Sequence, residues 1–283
     1  MLRPIETVID NPGHLLLLAA IRQWVNGPHE ADRDLVNRVE DWSELFEVAA
    51  GNRAGAALAI LIRRLDMLGS IPSEATEGLL ELETEQFAAN LLARAQLQRA
   101  LAILNDAGVR PMLLKGAAMD RLYYPEELPR SMSDLDLMVR PDELQRAGEA
   151  LEAGGYSERY HASDHHQTFI NGPQLLEVHH REICPAPMRD GSYDMWDGCY
   201  EVDINGLPAL VPDEVIHLFL IIAHFTVSHR MYTGLHPLCD ILLTLKAVSR
   251  ARRLRKLGEV ARRTGIPGAV HWNLRLVHDW FGA

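Results

Sequence analysis

The stretch Ser131-Met132-Ser133-Asp134-Leu135-Asp136-Leu137-Met138-Val139 leaves this chain few ways to fold. Leu135, Leu137 and Val139 alternate with the acids, and a period of two predicts a buried strand. Residues two apart on a strand share a face, so Asp134 and Asp136 stand side by side at its end. Two such carboxylates repel each other and resist desolvation. A divalent cation resolves that conflict, and hard oxygen ligands suit Mg²⁺. The alternative is an acidic turn entering a strand, with Asp134 as a cap and Asp136 in water.

Upstream, Arg110-Pro111-Met112-Leu113-Leu114 reads as a short apolar strand that runs through Lys115-Gly116 into a helix. Glycine at such a junction lets backbone N–H groups approach a phosphate, and the helix start adds positive potential. Lys115 adds a point charge. The plainer alternative is a strand-to-helix turn with a solvated lysine.

Downstream, His165-His166-Gln167-Thr168-Phe169-Ile170 and Gln174-Leu175-Leu176-Glu177-Val178-His179-His180 flank the turn Asn171-Gly172-Pro173 and predict a β-hairpin. Glu177 is then a third acid for the site, or else a solvated strand acid or a partner of Arg181. His179 shares its strand face and is expected near the metal or substrate. Arg130 reads equally as a clamp on phosphate or carboxylate and as a structural salt bridge.

These residues carry a resemblance. The Leu-Leu-Lys-Gly turn at 113–116, Arg130, Asp134-x-Asp136 and the Leu-Glu-Val-His run at 176–179 look like the uncharacterised nucleotidyltransferase family of the polymerase-β-like superfamily. The match is good over Val109–Arg181 and weaker around Leu235–Leu243. Better-known members of the superfamily have Gly-Ser where this chain has Lys115-Gly116. The resemblance implies an α+β fold, with a nucleotidyltransferase-like mixed sheet backed by helices. It implies transfer of a nucleoside monophosphate from an NTP to an acceptor, releasing pyrophosphate. Asp134, Asp136 and Glu177 would be catalytic and hold Mg²⁺ (or Mn²⁺), with Glu177 completing the metal site or acting as general base. Lys115, Gly116, Arg130, Ser133 and His179 would serve the nucleotide. Two rivals remain: an inactive nucleotide- or partner-binding module, and a phosphotransferase using the same metal site.

The rest of the chain divides by periodicity. Residues 1–108 read as an N-terminal helical region, 109–211 as the α/β core, and 212–283 as a C-terminal helical region. Helix starts are expected at Asn11-Pro12, Asp32, Asp41-Trp42 and Ser73, the last opening a long helix with Leu79, Leu82, Phe87, Leu91, Leu92, Leu97, Leu101 and Leu104 on its apolar face. Tyr156–Tyr160 is a weak strand. Cys184–Tyr200 is expected to be a loop walling the site, and Val202–Ile204 with Leu207–Val211 a second hairpin through Asn205-Gly206.

Five histidines (His161, His165, His166, His179 and His180) crowd one segment. Neighbours on a strand face opposite ways, so only one of each adjacent pair is expected at a common site, which disfavours structural zinc. His224, His229 and His236 read as core or interface residues. Asp240, inside an apolar helix, is expected to pair with an arginine or histidine. The basic run from Lys246 through Arg250, Arg252, Arg253, Arg255 and Lys256 to Arg262-Arg263 reads as a solvated face or as an attractor of an anionic co-substrate.

With 47% hydrophobic residues in 283, the chain can bury a sizeable core. A net charge of −11 disfavours general binding to long nucleic acids and fits a small-molecule or peptide acceptor better. Three cysteines without C-x-x-C spacing suit a reducing cytoplasm. The apolar run Leu15–Ile21 is too short to span a bilayer and lacks a signal-peptide layout.

Overall fold

The alternating segment forms the strand its pattern predicts, at the centre of a seven-stranded mixed sheet. The computed structural model describes residues 9–159, 165–173, 175–181, 194–228, 231, 234–250 and 252–283. The strands are β1 (Met112–Leu113), β2 (Asp134–Met138), β3 (Ser157–Arg159), β4 (His166–Ile170), β5 (Leu175–His179), β6 (Tyr200–Ile204) and β7 (Leu207–Val211). Their order across the sheet is β3-β4-β5-β2-β1-β7-β6. β2 pairs in parallel with β5 and antiparallel with β1, while β7 joins β1 in parallel. Both expected hairpins form, β4 with β5 and β6 with β7. In the second, Asn205 and Gly206 take φ of 55° and 84°, the left-handed pair that a tight two-residue turn requires.

Helices surround this sheet: α1 (Pro12–Asn26), α2 (Ala31–Asn37), α3 (Trp42–Gly51), α4 (Gly55–Arg64) and α5 (Ser73–Asp106) before it. Within it lie α6 (Lys115–Leu122) and α7 (Leu144–Ala153). After it come α8 (Glu214–Ala223), α9 (His236–Arg250), α10 (Leu254–Arg263) and α11 (Pro267–Phe281). Asn11 and Asp41 cap α1 and α3 through their side chains, as their positions predict. Two expected caps are displaced. Ser73 is the first helical residue after Pro72 and makes no capping bond. Asp32 lies inside α2, where its buried carboxylate accepts from the His29 amide and pairs with Arg22.

Two hydrophobic cores result. One joins α1 and α4 to α8, α9 and α11 through Leu16, Leu58, Phe219, Leu242, Val277 and Phe281. The other packs the second half of α5, through Leu97, Leu101 and Leu104, on Leu113, Leu135 and Leu176 of the sheet. Leu91 and Leu92, assigned above to the apolar face of α5, are exposed because the sheet covers only the next turns. Three bonds sew the first helices to the last. Asn26 Nδ2 donates to the Phe281 carbonyl at 2.9 Å, Lys246 Nζ to the Trp24 carbonyl at 2.9 Å, and the Leu235 amide to Asn52 Oδ1 at 2.9 Å. Part of the basic run is drawn into ion pairs: Arg253 with Asp213 and Glu214, Lys256 with Asp213, and Arg255 with Glu259. Among the described residues no helix is long and apolar enough to cross a membrane.

His217 of α8 is wholly buried beside Tyr123, and burial pushes its pKa down to about 4. An unfolded chain protonates this ring near pH 6.5, and the folded one only near its lowered value. Stability is therefore lost as pH falls through that window, by about 2–3 kcal/mol at about pH 4.5. Urea unfolding of wild type and His217→Leu at the two ends of the window reads it: the acid-induced loss should shrink by that amount in the variant.

Candidate active site

Register builds the site. The parallel pairing of β2 with β5 sets Asp136 directly opposite Glu177, and the β4–β5 hairpin sets His166 opposite His179. At the other edge of β2, the Leu114 amide donates to the Asp136 carbonyl at 3.0 Å, which brings the start of α6 to the same place. Lys115 opens α6 with φ of 42°, a left-handed conformation that costs a side-chain-bearing residue energy. Its ammonium donates to Asp136 Oδ1 at 2.8 Å. His179 Nε2 lies 2.9 Å from the same oxygen and 3.4 Å from Glu177 Oε2.

This buried network is charged. Burial alone would raise the pKa of Asp136, but Lys115 and the His179 ring hold it well below the carboxylate range. Burial would likewise depress Lys115 and His179; Asp136 outweighs it for both, joined at His179 by Glu177, and both are raised. Glu177 is lowered by its bond to His179. Asp134 behaves oppositely. It is half-buried, accepts a bond from Ser133 Oγ at 3.1 Å, and is raised by burial and by the negative charge of Asp136 and Glu177. Oxygens of Asp136 and Glu177 and a nitrogen of His179 lie within 4.8 Å of one another, and Asp134 falls outside that group. Hard oxygen donors and an acid made hard to ionise by its acidic neighbours suit a divalent cation.

Gly116 is buried at the second position of α6, where an added Cβ would meet Met132 Cγ at 3.0 Å. Arg130 realises the salt-bridge reading. Its Nε and Nη2 donate to Asp240 at 2.8 and 2.7 Å, and Tyr124 Oη donates to the same carboxylate at 2.7 Å. Asp240 of α9 thus finds the arginine expected of it. Glu177 has His179 and His166 for its partners, where Arg181 was one expectation.

A cavity of about 440 Å³ lies in front of Lys115, Gly116, Ser133, Asp134 and Asp136. Its other walls come from both ends of the chain: Arg53 from the α3–α4 turn, and His224, Phe225, His236 and Asp240 from the C-terminal helices. His224 and Phe225 sit on a π-helical turn, His224–Ser228, that follows α8. None of Arg53, His224 and His236 was assigned to the site from sequence. Arg53 follows a helix end in a left-handed conformation, φ of 55°, and no motif marks it. Burial and the nearby Arg130 lower its basicity, and Asp134 and Asp240 partly restore it.

One geometric expectation fails. His165 and His166 both place a ring nitrogen near His179, because β4 begins at His166 and the strand alternation does not reach His165. His161, Cys184 and His229 lie outside the described residues, as does most of the expected Cys184–Tyr200 loop.

A family model described as an uncharacterised nucleotidyltransferase matches residues 38–282. No curated protein matches. Among solved structures, the crystal structure of ANT(2'')-Ia in complex with adenylyl-2''-tobramycin is similar at 16% identity, with 60% of this chain and 97% of that chain covered and a TM-score of 0.48. The solution structure of the antibiotic-resistance factor ANT(2'')-Ia is similar at 14% identity, covering 64% and 98%, with a TM-score of 0.49. A nucleotidyltransferase-like antigen from Paracoccidioides brasiliensis is similar at 13% identity, covering 66% and 91%, with a TM-score of 0.37.

Proposed function

The chain belongs to the uncharacterised nucleotidyltransferase family, a transferase by that membership, and on that premise we propose that it moves a nucleoside monophosphate from an NTP to a small-molecule or peptide acceptor. The observation that carries this reading is the register that sets Asp136 against Glu177 beside the Lys115-Gly116 helix start. Asp134, Asp136 and Glu177 would hold Mg²⁺ or Mn²⁺, which when bound supplies Lewis-acid polarisation of the α-phosphate. Lys115 and the first amides of α6 take the β- and γ-phosphates, with Ser133 Oγ beside them. Arg53 faces them across the cavity. Glu177, kept ionised by His179, would complete that metal site or receive the acceptor's hydroxyl proton. Arg130 is committed to Asp240 and acts by holding the wall. A cavity of about 440 Å³ suits a small acceptor group beside the nucleotide. Free Cys199 and Cys239 fit a cytoplasmic setting.

Incubation with Mg²⁺, a panel of hydroxyl and amine acceptors, and ATP or another NTP labelled at the α- or γ-phosphate tests this. Label from the α-position in product, with pyrophosphate released, is the expected result. Label from the γ-position makes the protein a phosphotransferase, and tight binding without turnover makes it a binding module.

Arg53→Ala should weaken NTP binding about tenfold, or ~1.4 kcal/mol. Among the described residues its side chain makes one hydrogen bond, a long one of 3.4 Å to the Ser131 carbonyl, and its backbone bonds to Ala50 and Gln86 do not depend on the side chain, so thermal stability should hold. Calorimetric titration with an NTP and Mg²⁺ checks it, and an unchanged Kd removes Arg53 from the site.

A further inference from the structure

We infer that His165, His166 and His179 form a zinc site beside the transfer centre. The antiparallel register places His166 directly across from His179, and the His180 amide donates to the His165 carbonyl at 3.0 Å, which fixes His165 one step before the strand. The three rings then crowd together, with centroids 4.6, 5.0 and 5.8 Å apart. Each offers one nitrogen, and the three nitrogens lie within 4.8 Å of one another. Ligands around a tetrahedral ion at ~2.0 Å stand roughly 3.3 Å apart, so side-chain rotation suffices to close on it.

A second observation points to the same ligand. His179 is 1% exposed and its Nε2 is engaged by Asp136 and Glu177. The remaining nitrogen, Nδ1, is buried and makes no hydrogen bond. A buried polar atom left unpaired is costly, and a cation there removes the cost. A histidine that binds zinc through one nitrogen commonly donates the other N–H to a carboxylate, which is the arrangement His179 already has with Asp136. A water reaching the exposed His165 completes four-coordination.

Donor chemistry sorts the two cations. Imidazoles favour a borderline ion such as Zn²⁺, and carboxylates favour Mg²⁺. Zinc would lock the His179 ring, and through it the side chains of Asp136 and Glu177. Its binding needs no nucleotide, so failure of the transfer assay leaves this inference standing, and the reverse holds as well.

The test titrates tag-free, metal-stripped protein with ZnCl₂ against a chromogenic chelator. One zinc per chain is expected, with affinity falling about tenfold or more in His165→Asn and in His166→Asn and unchanged in Asp134→Asn. Co²⁺ in place of zinc should give the visible absorption of a tetrahedral site, absent in His166→Asn. Because His165 is exposed, melting of His165→Asn in EDTA should match wild type, which separates ligand loss from misfolding. No stoichiometric zinc, wild-type zinc affinity in either histidine variant, or loss of zinc in Asp134→Asn overturns the inference.

Discussion

Asn at position 134 should abolish transfer while leaving the metal-free protein as stable as its parent, or slightly more so. Turnover is expected to fall by roughly 10³-fold or more, a barrier increase of about 4 kcal/mol. The stability result comes from what Asp134 touches. It bonds to Ser133 and sits in the negative field of Asp136 and Glu177, so removing its charge relieves repulsion. Asn at position 136 should also abolish transfer, but with the opposite effect on stability. Lys115 and His179 lose the carboxylate that balances them, at a cost of ~3 kcal/mol. Melting both variants in EDTA separates the two roles. A clear drop in Tm for Asp134→Asn would sink the repulsion account.

The second large effect lies away from the reacting atoms. Asp240→Ala should destabilise by about 3–5 kcal/mol, because it strands the buried Arg130 guanidinium and removes the acceptor of Tyr124 Oη. Arg130→Ala should cost a similar amount, and the double variant much less than the sum, since each single change leaves one uncompensated charge. Arg130→Lys should fail to rescue, as an ammonium cannot make the two-point bond. Urea unfolding of the four proteins reads the coupling. Additive losses would mean that the pair contributes nothing as a pair.

Local signals carried much of this architecture. Alternation around Leu135 and Leu137 gave β2, Asn205-Gly206 gave the β6–β7 turn, and Asn11 and Asp41 gave two helix starts, because each feature depends on near neighbours in the chain. The candidate site was partly legible for the same reason: strand periodicity shows which face each side chain takes, Asp134 with Asp136 and Glu177 with His179, though not the register that sets Asp136 opposite Glu177. What pairs with what across long separations was not legible. Nothing near Arg130 says that it meets Asp240, and nothing near Arg53 says that a turn between α3 and α4 reaches the cavity. The alternation rule also misled at His165, where the strand had not yet begun. Exposed Leu91 and Leu92 have the spacing of core residues, and only the extent of the sheet decides otherwise.

The bonds that sew the first helices to the last have a consequence for how the protein is made. Asn26 waits for Phe281, Trp24 for Lys246, and Asn52 for Leu235. A nascent chain can assemble the sheet as soon as β7 has emerged, yet the cavity still lacks His236 and Asp240, and the apolar faces of α1 and α4 remain uncovered. Those faces are exposed to chaperones, or to another nascent chain, until α9–α11 leave the ribosome. The cavity is therefore closed only once α9 has been made, and a chain truncated before α9 would carry Asp134, Asp136 and Glu177 and still lack the wall that His236 and Asp240 provide.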